Sequence, residues 1–203
     1  MFDTLALIAI FLMTVVFHEF AHGLVAYLNG DPTAKQAGRL TLNPLKHIDP
    51  FWTVFLPALM FFSTGGRFAI GMAKPVPVDF ARLHHPKKDM VWVGLAGPLA
   101  NFIFAGVLNI FFRLFEHPFL LYGIYFNLGL GIFNMVPIPP LDGSRVLAGL
   151  LPAPYAVRLL RLEPYGFLIV LGLYFTGVLS RIILPLMDFF CAVMGLPQIG
   201  VNF

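Results

Sequence analysis

The sequence predicts an all-α polytopic membrane protein of about four to six transmembrane helices, with a small β-hairpin or re-entrant element between the first and second core spans. Three observations carry that reading. Hydrophobic residues make up 59% of the 203 positions and charged residues 11%, with a mean hydropathy of +0.84; a soluble domain carries about 25% charge. The apolar residues fall into long charge-poor runs, and most basic residues lie between those runs. The 23 phenylalanines and 19 glycines suit the same solvent, because aromatic rings face lipid while small residues let helices approach closely.

Leu5 to Leu28 is interrupted only by His18, Glu19 and His22. At about 1.5 Å per residue it is long enough to cross a hydrocarbon core of about 30 Å, and it is the first expected span. Its amino end carries Asp3 instead of a basic region, and no small-residue cleavage site follows, so it is not read as a cleavable signal peptide. Met90 to Phe112 is the second span, bounded by Lys87, Lys88 and Arg113. Phe119 to Leu141 is a third, broken near its end by Pro137, Pro139 and Pro140. Tyr165 to Ser180 is a short fourth, and Ile182 to Leu196 is either a fifth or an interfacial segment.

The run from Phe51 to Phe62 would make a helix of about 18 Å, too short to cross, and it contains Pro57. A re-entrant or interfacial segment is therefore expected there. It is flanked by "GRLTL" (38–42) and the alternating "RFAIGMAKPVPVD" (67–79), which read as short strands of a hairpin. Lys35, Arg39, Lys46, Arg67, Lys74, Arg82, Lys87 and Lys88 lie on both sides of the short run, so the positive-inside rule keeps the whole region cytoplasmic. The amino terminus is then outside, and Arg145, Arg158 and Arg161 fall inside after the third span returns. Residues 1–203 read as a single membrane domain, with a core over 5–150 and a helical region over 151–203. The lone Cys191 excludes an intramolecular disulfide and a cysteine metal cluster. A net charge of +3 without a basic–aromatic run gives no expectation of nucleic-acid binding.

The stretch "VVFHEFAHGL" (15–24) places three ionisable groups at membrane depth, where an acid costs on the order of 3 kcal/mol and usually marks function. His18 and His22 are four residues apart and share one helix face, with Glu19 beside them. This H-E-x-x-H spacing suits two nitrogen ligands to one Zn²⁺ and a carboxylate aimed at water. The plainer reading is a set of polar groups hydrogen-bonding between helices. A catalytic zinc needs a third protein ligand. His47, His84 and His85 belong to the basic region, and Glu116 and His117 to an outer loop. Asp142, in "FNMVPIPPLDGSRVL" (133–147), returns to the same half of the bilayer. Taken alone it reads better as a helix N-cap followed by a turn glycine; only the absence of a better third ligand favours coordination.

HEFAH at 18–22, "GLAGPLANF" at 94–102, and Asn134, Pro137 and "LDG" at 141–143 resemble, in order and spacing, the site-2 protease family of intramembrane zinc metalloproteases. The resemblance covers residues 5–150, and no PDZ or CBS domain is recognisable. It implies one Zn²⁺ held by His18, His22 and Asp142, Glu19 as catalytic acid/base, and Asn134 as a substrate or oxyanion ligand. The implied reaction is hydrolysis of peptide bonds in transmembrane segments of other proteins, in the cell (plasma or inner) membrane with the site toward the cytoplasm. The lipid bilayer and a transmembrane protein substrate are the expected partners, for a monomer or an oligomer. Gly94, Gly97 and Ala100 read as a close-packing face, while Asn101 is open to an interhelical hydrogen bond or a role near the active site. An edge strand from 67–79 would hold an unwound substrate by β-addition, or serve as a purely structural hairpin.

The alternative is a non-catalytic protease-like scaffold or metal carrier. A carrier would scatter polar groups along several spans, and a scaffold has no need of Glu19. The topology predicts that single cysteines at Gln36 and His85, in a Cys191→Ser background, label from the same side of the membrane. Labelling from opposite sides would make the short run a true span.

Overall fold

Helices account for the regular structure of the computed structural model, which describes residues 2–55, 59, 62–63 and 74–198. They are α1 (Phe2–Leu28), α2 (Pro86–Phe115), α3 (Pro118–Asn134), α4 (Asp142–Leu150), α5 (Ala153–Leu160), α6 (Gly166–Phe175) and α7 (Val178–Val193), with shorter turns between them. Helices α1 and α2 are long and apolar enough to cross a membrane, and the pair α5–α6 with α7 is a third candidate, bent by 75°. The bend sits at Gly177, whose φ of +73° is a left-handed conformation that glycine adopts without penalty.

Helix α2 organises the molecule, packing against α1, α3 and α4. Its 30 residues reach about 45 Å, so Lys87, Lys88 and Arg113 lie within the helix ends instead of outside them. The apolar core between α1, α2, α3 and α7 contains Ile10, Ala105, Leu108, Ile124, Leu128, Met187 and Cys191. Ile8 and Phe11 on α1, and Ile103, Ile110 and Leu114 on α2, are exposed. Such large side chains on the outer faces of long apolar helices suit lipid as their solvent.

Several expectations need correction. No strand occurs among the described residues: 38–42 form turns, and 74–79 run extended without a ladder. Two prolines spaced two apart remove the N–H groups a hairpin would need. The 67–73 half of the expected second strand lies outside the described residues, as does most of Phe51–Phe62 beyond a wide π-helical turn, Pro50–Phe55. The third run ends as a helix at Asn134, not Leu141. After it, Val136 N–H bonds Phe133 O, Ile138 N–H bonds Val136 O and Leu141 N–H bonds Ile138 O, so the proline-rich stretch is a chain of tight turns. The break expected at Arg181 falls instead at Thr176–Gly177, leaving Arg181 inside α7.

Those turns bring the start of α4 back onto α2. A Cβ on Gly143 would lie 2.2 Å from Met135 O and 2.7 Å from Val136 O, both backbone atoms. A Cβ on Gly94 would lie 3.1 Å from Asp142 O. Gly143→Ala is therefore expected to force the turn and α4 apart, at the roughly 1–3 kcal/mol typical of overpacking. Thermal unfolding in detergent should show a lowered midpoint, whereas Gly106→Ala, mid-helix with open space around its Cβ position, should not lower the midpoint.

Candidate metal centre

The site forms where α1, α2 and the first residue of α4 meet. His18 and His22 are buried on one face of α1, and Asp142 is partly buried at the start of α4. His18 Nε2 and His22 Nε2 lie 3.0 Å apart, and Asp142 Oδ2 is 3.0 Å from the first and 3.1 Å from the second. Leu141, not Asp142, occupies the N-cap of α4. The capping reading of Asp142 therefore gives way to one in which its carboxylate faces the two imidazoles.

The tautomers follow from the surrounding partners. His22 Nδ1 lies 2.6 Å from Val93 O, a carbonyl that only accepts, so Nδ1 carries a proton and, in the neutral imidazole, Nε2 is the nitrogen with the lone pair. Asn101 Nδ2 donates to Thr14 O at 3.2 Å and to Asn127 Oδ1 at 2.9 Å. That fixes the amide with Oδ1 toward His18, which donates to it from Nδ1 at 2.6 Å. With both imidazoles neutral, three lone pairs, two from nitrogen and one from oxygen, converge. Such a cluster calls for a cation.

The donor set fits zinc: two neutral imidazoles and one carboxylate are three protein ligands, which leaves a position for water. The space fits as well. A Cβ on Gly97 would lie 2.3 Å from His22 Nε2 and 2.7 Å from His18 Nε2, so this glycine keeps the cradle in front of both ligand atoms clear. Helix packing alone does not describe Gly97; it borders the site. Gly94 fits the packing expectation through its approach to α4.

Asn101 makes interhelical hydrogen bonds, its amide joining His18 to Thr14 and Asn127. Asn127 Nδ2 in turn donates to Thr14 Oγ1 at 2.9 Å and Gly123 O at 2.8 Å, and Thr14 Oγ1 donates to Ile10 O at 2.9 Å. Thr14, Asn101 and Asn127 are all fully buried. Sequence reasoning missed Thr14 and Asn127, although polar residues within otherwise apolar runs were the available signal. Partners of this kind orient a ligating histidine.

Glu19 lies one residue from His18, and its Oε2 accepts from Val76 N–H at 2.7 Å. Asn134 is not drawn into the cluster: its Nδ2 donates to Leu130 O at 3.0 Å, within α3.

Residues 6–117 match the family model described as Peptidase family M50. The chain belongs to peptidase family M50. It is 34% identical over 197 residues to "Putative zinc metalloprotease YwhC" of Bacillus subtilis, covering 90% of this chain and 85% of that protein. It is 32% identical to "Putative zinc metalloprotease Rip2" of Mycolicibacterium smegmatis, covering 96% of this chain and 76% of that one. A shorter match of 75 residues, 39% identical, is to "Zinc metalloprotease MJ0392" of Methanocaldococcus jannaschii, covering 34% of this chain and 22% of that protein. No solved structure matches the chain significantly.

Gly97→Ala places a methyl group in the cradle and is expected to lower zinc content strongly, and so is His18→Ala. Metal analysis of the purified variant, with circular dichroism to show that its helices persist, checks this. Full zinc occupancy in Gly97→Ala would mean that the ion sits away from this face of α2.

Proposed function

We propose that this M50 peptidase is an intramembrane zinc metalloprotease in which His18, His22 and Asp142 hold one Zn²⁺ and Glu19 is the catalytic acid/base. The observation that carries this reading is the convergence of the two Nε2 atoms and Asp142 Oδ2 within 3.1 Å of one another. Zinc at such a triad supplies Lewis acidity, making water nucleophilic near neutral pH and polarising a peptide carbonyl.

The chain's own residues do the rest. Glu19 accepts the proton of the attacking water and later delivers it to the leaving amine. Asn101 holds His18 through Nδ1, and Val93 O holds His22. Asn134, in the last turn of α3 ahead of the Asp142 turn, is the proposed ligand for the substrate backbone or the oxyanion. For that role its side chain must leave Leu130 O.

The proposed substrate is a transmembrane segment of another protein. A helix hides its peptide bonds, so the segment must unwind locally and find backbone partners where water is scarce. The proposed setting is the cell membrane, with α3 and the bent α5–α7 region joining α1 and α2 in at least four spans and the site toward the cytoplasmic side. The positive-inside pattern of the 31–88 region supports that orientation. A scaffold or carrier is not favoured, since the ligand atoms converge on one point and Glu19 is retained beside them.

Glu19→Gln is expected to keep zinc and bind substrate, but to cleave it about 10² to 10⁴ times more slowly, the usual worth of general acid–base catalysis. Zinc content, substrate capture and product formation, compared with wild type in the same bilayer, decide it. Equal cleavage by both proteins would remove Glu19 as the base.

A further inference from the structure

The segment Lys74–Asp79, "KPVPVD", runs extended with the Val76 side chain buried, and its Val76 amide reaches Glu19. Pro75 and Pro77 have no N–H, so the amide of Val76 is the single backbone donor from 75 to 77. That donor meets Glu19 Oε2 at 2.7 Å, a length typical of hydrogen bonds to a charged acceptor. The Val76 side chain is buried where α1 carries Gly23, one turn after Glu19; a Cβ on Gly23 would lie 3.0 Å from Val76 Cγ1. The glycine lets the segment lie close enough for its amide to reach the carboxylate.

The segment is tethered on both sides of that contact. Arg39, buried to 7% exposure, donates to Lys74 O at 2.6 Å and Pro75 O at 3.4 Å. Lys74 N–H bonds His47 O at 2.9 Å. Asp31, with no exposed surface, accepts from Asp79 N–H at 2.7 Å. Burying two ionic side chains is costly, and both are turned on the backbone of these six residues.

We propose that Lys74–Asp79 is a backbone clamp that orients Glu19 for proton transfer, and that Arg39 is the positioning residue that holds the clamp in register. The proposal rests on the reading of Glu19 as acid/base. With Oε2 committed to Val76, the carboxylate cannot rotate freely, and Oε1 is the oxygen left for water. Arg39 touches neither the metal ligands nor Glu19; it acts through the position of one N–H.

The test replaces the Pro75–Val76 amide with an ester, by incorporating α-hydroxyvaline at position 76 of the full chain. This removes the N–H and preserves the side chain. Arg39→Ala and Arg39→Lys accompany it. Zinc content, kcat and KM are measured on a model transmembrane segment in zinc-loaded protein. The ester is expected to lower kcat about tenfold to a hundredfold, the worth of a hydrogen bond to a charged group, with zinc content and KM unchanged. Arg39→Ala should follow it and Arg39→Lys should recover part of the loss. If Arg39→Ala does not fold, the ester decides alone, since it leaves Arg39 in place. Wild-type kcat in the ester overturns the clamp while leaving the protease reading intact. A raised kcat also overturns it, because the segment would then be a lid competing for Glu19. Absence of cleavage by the wild type overturns both readings.

Discussion

Three acceptor atoms facing one another in an apolar interior are unstable unless a positive charge lies among them. With neutral imidazoles, His18 Nε2, His22 Nε2 and Asp142 Oδ2 form such a group, and much of the fold serves to bring them together. The two histidines come from one face of α1, but Asp142 arrives only because the chain abandons helix after Asn134 and turns back through residues rich in proline. Gly143 permits that turn by packing against the carbonyls of Met135 and Val136, and Gly94 permits α4 to rest on α2. Gly97 then leaves room in front of the ligands. Three glycines thus do three separate steric jobs within one region.

One helical turn away on α1 and α2 is a second polar layer. Thr14, Asn101 and Asn127 join α1, α2 and α3 in a ladder that ends on His18 Nδ1. In a low-dielectric interior such a ladder is valuable only when its members are satisfied, and the bonds described here leave each side-chain amide with an assigned direction. The same bonds that pack the helices put a proton on His18 Nδ1.

Glu19 receives different treatment. The ligand side of α1 is held by helices, whereas Glu19 is met by the extended segment of a loop region, through Val76. A loop reaches a carboxylate with a backbone N–H more easily than a packed helix, whose amides are already engaged along its own axis. The peptidase thus builds its candidate metal centre from helices and contacts Glu19, the proposed acid/base, through a tethered extended segment.

Composition and the H-E-x-x-H spacing made the membrane character, the first two long helices and the His18–Glu19–His22 cluster legible in the sequence, because helical periodicity alone puts i and i+4 on one face. Asp142 was legible only by elimination and by resemblance: 120 positions separate it from His22, and no local rule connects them. The expected hairpin misled because alternation of apolar residues signals an extended chain without saying whether it has a ladder partner; the described part of it is extended and tethered to side chains instead. Thr14, Asn127 and Gly97 acquire their roles only from how α1, α2 and α3 are set against one another. Residue identity and spacing determined which groups are able to bind a cation, since those are properties of side chains and of one helix. Which of them meet, which nitrogen of each histidine is left bare, and what holds Glu19 were decided by tertiary structure, because hydrogen-bond partners and empty space are properties of neighbours that the linear order does not contain.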